Sequence, residues 1–594
     1  MLLLYSFLFS ILLSISICII NFPIDNTMVL SSSTLFWSFV SWINKSTISL
    51  YAIMGLSLYY FYCCKKENVQ QIEKQDRIYL SAFVTFFSFI FLLGKSYHEL
   101  GNWNLIFISL PNFALSLFGT GVLAYSVTNL LEILRCLIIF LCGEENKVSK
   151  IRPVRHYFLL FFLIGLVHLI IFYPGTATYD GVYQILEYYG ERPLSNHLPV
   201  LATFIDGSIF HFGKSLYNAN FGLFCFAFTQ ILFQSYVFAR CMNLICRLNQ
   251  NKVVNRFCLA FFLFNPIFNI WVITFVKDTI YYISLLWLLI IVIEIIEKKE
   301  EKGFLIGGII QLLLASLLLF IFRNNGVFIS IPAIITLAFY ERRNKHIAKM
   351  LMINAVIIIC IASGWSKFLS YSQIPQPVEE ALSIPFQQTA RLVHEKYIFD
   401  TNDLETLSNL FNHKDIGSLY NPEFADPVKF SFKWGPENRS IWRKIYVKYL
   451  KLYPEVYAEA FFNQSYGYFY PLKKSTDLGS YEIPDNESLK NDILYVSHDS
   501  LSTKFKQLYS NVPGIFDKVP LLNLIYNCSI YSWSVLFLIG YSLVKRRMPI
   551  FIINFPLLLS LGVCLLSPVN ACLRYMLPVI VCVPLSIVYY VYKR

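Results

Sequence analysis

Charged side chains are scarce in this sequence. Asp, Glu, Lys and Arg make up 14% of 594 residues, where soluble domains carry nearer a quarter. Together with 56% hydrophobic residues and a mean hydropathy of +0.54, that scarcity excludes an ordinary soluble enzyme and describes a polytopic membrane protein. Cysteine carries no pattern. None of the fourteen lies between Gly364 and Asn527, and most fall in apolar runs, among them Cys18, Cys225, Cys258, Cys360, Cys564 and Cys582. Neither a disulfide scaffold nor a CxxC metal site follows. No P-loop, GxGxxG, HExxH or GxSxG motif occurs in a usable context, so ATP-driven transport and soluble-type hydrolysis have no support. Internal repeats and low-complexity linkers are missing too. The net charge of +12 is confined to particular loops, which argues against nucleic acid as a partner.

What is present is a series of apolar runs long enough to cross about 30 Å of hydrocarbon as helix. Spans are expected near 2–20, 48–64, 78–94, 105–128, 157–173, 219–238, 257–275, 280–296, 304–322, 327–340, 347–363, 529–544, 549–567 and 575–591. An all-α membrane protein of about fourteen helices follows, with both termini cytoplasmic. The basic loops Lys65–Arg77, Lys147–Arg155, Arg240–Arg256, Lys298–Lys302, Arg342–Lys349 and Lys545–Arg547, and the Lys593–Arg594 end, then all lie inside. Leu2–Ile20 lacks a basic leader and a clear cleavage site, so it reads as an uncleaved helix.

Two segments need care. Leu105–Cys142 is too long for one crossing at 1.5 Å per residue, and is read as one span followed by an interfacial helix through Glu132 and Arg135. Val200–Phe212 is short and contains Asp206 and His211. Counted as a crossing it would put Arg240–Arg256 outside, so it is read as a juxtamembrane or re-entrant helix on the outer side. The resulting organisation is a four-helix membrane region (1–156), a membrane core (157–363) with an outer loop (174–218), an extracytoplasmic domain (364–528) and three final helices (529–594). Within the domain, Gln387–His394, Ile441–Leu452 and Pro454–Phe462 read as helical.

Chemistry-bearing residues gather in the loops assigned to the outside. Asp180 and Gln184 are four apart after a Pro174-Gly175 turn, so a helix there puts both on one face, with Thr176 or Thr178 as caps. Asn196 and His197 precede Pro199. Lys277-Asp278, Arg323 in Arg323-Asn324-Asn325-Gly326, and Arg574 in Asn570–Pro578 are charged groups at helix mouths. Each has an ordinary explanation as a turn, an interfacial anchor or a snorkelling side chain. Together, however, His197, Lys277, Arg323 and Arg574 are basic groups on the face where Lys and Arg are rare, and boundary ionisable groups suggest function. A lipid phosphate is their natural shared partner.

The order of these residues resembles the GT-C superfamily of integral-membrane glycosyltransferases, which includes the protein mannosyltransferases and the lipid A aminoarabinose transferases. In that superfamily an outer acidic loop precedes a juxtamembrane helix and a second acid follows; here Asp278 follows Asp180 by 98 residues. More closely, YPGTATYDG, NHLPV, VKDT, FRNNG, PFQQTAR and GYFYP resemble an uncharacterised bacterial membrane-protein family of this type. The resemblance covers roughly 157–594 and offers no role for the N-terminal helices. Two departures stand out: a single Asp180 replaces an acidic pair, and the large outer domain precedes the last three helices.

The resemblance implies transfer of a sugar from a polyprenyl-phosphate carrier to an extracytoplasmic acceptor, whether cell-wall polymer, lipid or protein. Asp180 would take the acceptor's proton, and Asp278 would share that role. Alternatively, both would hold a divalent cation, Mg²⁺ or Mn²⁺. Lys277, His197, Arg323 and Arg574 would bind the phosphate, and Gln184, Asn196, Gln387, Gln388 and Arg391 the sugar or acceptor. The competing readings are a lipid-linked oligosaccharide flippase or transporter, and a surface-polysaccharide polymerase or ligase.

Overall fold

The computed structural model describes residues 2–45, 55, 58, 59, 73–142, 151–298, 302–376, 378–398, 400–477, 479 and 523–593. The expected span 48–64 lies, but for three residues, outside that set, as does 481–522 of the expected 364–528 domain. Among the described residues nine helices are long and apolar enough to cross a membrane, or ten if one bent pair counts as a span. An apolar run in hydrocarbon must satisfy its own backbone donors and acceptors, and helix does so within the run. The protein is accordingly an all-α polytopic membrane protein.

Two expected spans take a different form. Leu110–Cys142 is one continuous helix of 33 residues, about 50 Å long at 1.5 Å per residue, so no separate interfacial helix begins before Glu132 and Arg135. No Gly or Pro follows Gly121 within it, so nothing in the sequence breaks it there. The expected span 257–275 is broken. Helices Lys252–Phe264 and Pro266–Val272 meet at a 41° bend. Pro266 has no N–H to continue the first helix, and Asn265 caps the second by accepting from the Ile267 amide at 3.1 Å.

The chain divides into two compact units. Unit 1 comprises 1–146, 382–474 and 565–571, so the N-terminal helices share it with most of the polar segment. Helices Lys74–Leu100 and Leu110–Cys142 pack around Phe91, Tyr97, Leu105, Ile106 and Leu123, with Tyr466 and Tyr470 completing the same core. Helices Ser383–His394, Pro436–Leu452 and Pro454–Ser465 enclose a second core centred on Phe386, Phe432 and Trp442.

Unit 2 comprises 147–381, 475–564 and 572–594. Its centre is helix Asp278–Lys298, flanked by Ala219–Leu248, Lys302–Phe322 and Leu573–Lys593. Buried Glu294 fixes it at one end, accepting from Arg240 at 2.5 Å and Arg247 at 2.7 Å. At the other end lies a sheet of two short parallel strands, Thr176–Ala177 and Thr274–Phe275.

Candidate functional site

Each strand of that sheet leads into a helix, and each helix carries an acid in its first turn. After helix Val154–Ile171 the chain turns at Tyr173-Pro174, a cis peptide, and at Gly175, whose φ of 108° suits glycine. It then runs as strand through Thr176–Ala177 into helix Tyr179–Tyr189. Thr178 caps this helix by accepting from the Gly181 amide at 3.2 Å. The second arm runs from helix Pro266–Val272 through Thr274–Phe275 into helix Asp278–Lys298. Thr176 pairs with Thr274 and Ala177 with Phe275, and the two threonine hydroxyls are 2.8 Å apart. Asp180 and Asp278 both lie four residues beyond their paired threonine. The 98-residue spacing of the acids is thus the register of a parallel pair.

Close approach makes this junction. A Cβ on Gly181 would lie 2.0 Å from the Phe275 carbonyl oxygen. Gly181→Ala is therefore expected to push the arms apart and lower stability by about 1–3 kcal/mol. A variant with wild-type Tm would show that the arms can separate freely.

Three bases close around the two acids. Lys277 Nζ donates to Asp180 Oδ2 at 3.0 Å. Arg323, just after helix Lys302–Phe322, donates from Nε to Asp278 Oδ1 at 2.5 Å. Its guanidinium lies over the rings of Tyr281 and Tyr575, at 5.3 and 5.0 Å from their centroids. Arg574, near the start of helix Leu573–Lys593, bridges both acids: Nη2 donates to Asp180 Oδ2 and Nε to Asp278 Oδ2, each at 2.5 Å. Asp278 is 2% exposed, whereas Asp180 is 26% exposed. Burial would raise the Asp180 carboxyl, but Lys277 and Arg574 hold it well below the usual carboxylate range. It stays ionised and reachable.

A third acid faces this cluster. Thr476 bridges to Cys572 in parallel and its carbonyl accepts from the Leu573 amide at 2.9 Å, which sets Asp477 beside Arg574. Surrounding protein raises the Asp477 carboxyl first; Asp278 and Asp180 push the same way, against Arg574 and Arg323. Sequence reading missed Asp477, which occupies irregular backbone with φ of 52°; its one signal was proximity to GYFYP.

A buried polar seam runs from Asp180 along its helix. Gln184 donates to Asp206 of helix Val200–Leu216 at 3.4 Å. Burial raises the Asp206 carboxyl well above the usual range, against the Gln184 hydrogen bond and the Lys277 charge. Glu187, 3% exposed, follows on the same face. Burial pushes its carboxyl up to about 7, against Arg192, the Ser195 amide, His197 and Lys277. Folded protein therefore holds this proton more tightly than unfolded protein does, so stability is lost as pH rises from about 4.5 through about 7. A rise of this size corresponds to roughly 3 kcal/mol. Glu187→Gln is expected to flatten Tm against pH across this window; a curve with unchanged slope would contradict it.

The other expected residues are placed as follows. Asn196 is tied to the Arg323 turn, its carbonyl accepting from Asn324 Nδ2 at 2.9 Å. His197 pairs with Glu380 at 3.2 Å rather than with either acid of the cluster. Gln387, Gln388 and Arg391 lie in unit 1, where their side chains are engaged. Gln387 donates to the Asn421 carbonyl, Gln388 to the Tyr457 carbonyl at 2.9 Å, and Arg391 to Glu459 at 2.6 Å and the Gly101 carbonyl at 3.2 Å.

The donor set does not fit a divalent cation. Both Asp278 oxygens and Asp180 Oδ2 already accept from Lys277, Arg323 or Arg574. No group of three or more His, Cys, Asp or Glu side chains is arranged to hold a metal among the described residues.

Residues 190–594 match a family described as a family of unknown function (DUF6020), and the chain belongs to it. The match includes Lys277, Asp278, Arg323 and Arg574, and begins just beyond the helix that carries Asp180. No curated protein and no solved structure matches the chain.

Proposed function

We propose that this member of DUF6020 is a membrane glycosyltransferase of GT-C type, moving a sugar from a polyprenyl-phosphate carrier to an acceptor outside the cytoplasm. The observation that carries the reading is Arg574 bridging Asp180 and Asp278. It joins a partly exposed carboxylate to a group of three bases, and the five charged side chains carry a net charge of 3 − 2 = +1 when Asp477 is not counted. Such a group suits one incoming phosphate. An apolar recess of about 560 Å³ between helices Val200–Leu216 and Ala219–Leu248, lined by Phe212, Phe221, Phe224 and Phe228, suits an isoprenoid tail. The distribution of basic loops supports fourteen crossings, cytoplasmic termini and a cluster on the outer face.

In this reading the carrier's phosphate draws Arg574 and Lys277 away from Asp180 and restores its basicity as the acceptor arrives. The acceptor hydroxyl gives its proton to Asp180, its oxygen bonds to the anomeric carbon, and the bond to phosphate oxygen breaks. Lys277, Arg323 and Arg574 stabilise the departing polyprenyl phosphate, where negative charge builds up. The test is release of polyprenyl phosphate from a labelled carrier by purified protein supplied with extracts containing acceptor. Release that requires Asp180 supports the proposal; equal release by Asp180→Asn removes its catalytic core.

A further inference from the structure

The acids of the cluster already share a cation, and that cation is covalently part of the chain. Nε and Nη2 form one edge of the Arg574 guanidinium, and each prong of that edge grips a different carboxylate at 2.5 Å. The second Asp278 oxygen is taken by Arg323, and Asp180 Oδ2 is shared with Lys277. Mg²⁺ and its relatives require several oxygen donors at about 2.0–2.1 Å in near-octahedral array. Here a divalent ion would raise the local charge from +1 to +3 among side chains of which four are no more than 13% exposed. Counting the nearby Asp477 as ionised lowers each figure by only one.

We propose that Arg574 occupies the position between Asp180 and Asp278 that a divalent cation would otherwise take, so that this site works without a metal. The chemistry it would serve rests on the transferase reading above; the cation assignment itself does not. A guanidinium here has two consequences. It can turn its planar fork from two carboxylates to one phosphate, a geometry that a point charge lacks. It also arrives with helix Leu573–Lys593, so the two acids are bridged to each other only after that helix has packed in unit 2.

Full-length protein in lipid nanodiscs, titrated with Mn²⁺ and followed by electron paramagnetic resonance, tests this directly. Wild-type protein is expected to show no bound Mn²⁺ beyond that retained by Asp278→Asn. A bound signal in wild type that Asp278→Asn removes would overturn the proposal. Arg574→Ala, which leaves two acids facing two bases, is expected to gain Mn²⁺ affinity by about tenfold or more, and to lose it again when Asp278→Asn is added. Folded Arg574→Ala without that gain would also overturn it. Should Arg574→Ala fail to fold, the wild-type titration alone decides. None of these readouts involves sugar transfer. Protein that binds no Mn²⁺ and transfers no sugar would refute the transferase reading and leave the cation assignment standing.

Discussion

Asp278→Ala is expected to destabilise the protein by about 3–5 kcal/mol, the usual cost of removing one partner from a buried ion pair. Asp278 is 2% exposed and accepts from both Arg323 and Arg574. Without it, Arg323 loses its carboxylate and Arg574 is left to share Asp180 with Lys277. Arg323 keeps its two tyrosine rings, but a ring face supplies only a fraction of what a buried carboxylate supplies. The loss should appear as a lower Tm in detergent and a lower yield of monodisperse protein. A Tm within about one degree of wild type would mean that water reaches the cluster far more freely than this packing allows.

Asp180→Asn is expected to behave in the opposite manner. Its side chain is 26% exposed, and Asp278 remains to hold Arg574, so the fold should tolerate the change. Under the proposed transferase activity, turnover should not. A positioned general base contributes about 10²–10⁴ in rate, and an amide cannot accept the acceptor's proton. The pairing of results is diagnostic: Asp278→Ala lowers stability, while Asp180→Asn lowers polyprenyl-phosphate release at near-constant Tm. A variant of Asp180 that lost stability as severely as Asp278→Ala would recast Asp180 as a structural partner.

Much of the membrane architecture was legible because hydrocarbon imposes one rule on every span. The runs expected at 304–322, 327–340 and 529–544 became helices Lys302–Phe322, Val327–Tyr340 and Cys528–Val544. Hydropathy says nothing about continuity, however. It did not show that Leu110–Cys142 would run unbroken or that Asn265-Pro266 would restart a helix. The charged residues Asp180, Lys277, Asp278, Arg323 and Arg574 were conspicuous against an apolar background, and the structure brings these five together.

Their mutual arrangement had a signal that was easily overlooked. Thr176-Ala-Thr-Tyr-Asp180 and Thr274-Phe-Val-Lys-Asp278 share a Thr-x-x-x-Asp spacing, too short to register as a repeat. Asp477, Glu380 and the Gln184–Asp206 contact had no comparable signal. They depend on long-range pairings, Thr476 with Cys572 and one helix against another, which local periodicity does not encode.

The matched register also governs how the gene can change. Three residues separate threonine from aspartate in both arms, and a helix turns about 100° with each residue. Gain of one codon in either connection, or loss of one at 177–179 or 275–276, would swing its acid off the shared guanidinium, although every side chain of the cluster would still be encoded. Substitutions can be tested at these positions one by one. Changes of length in 177–179 or 275–277 cannot be absorbed by one arm alone; they would survive only when mirrored in the other.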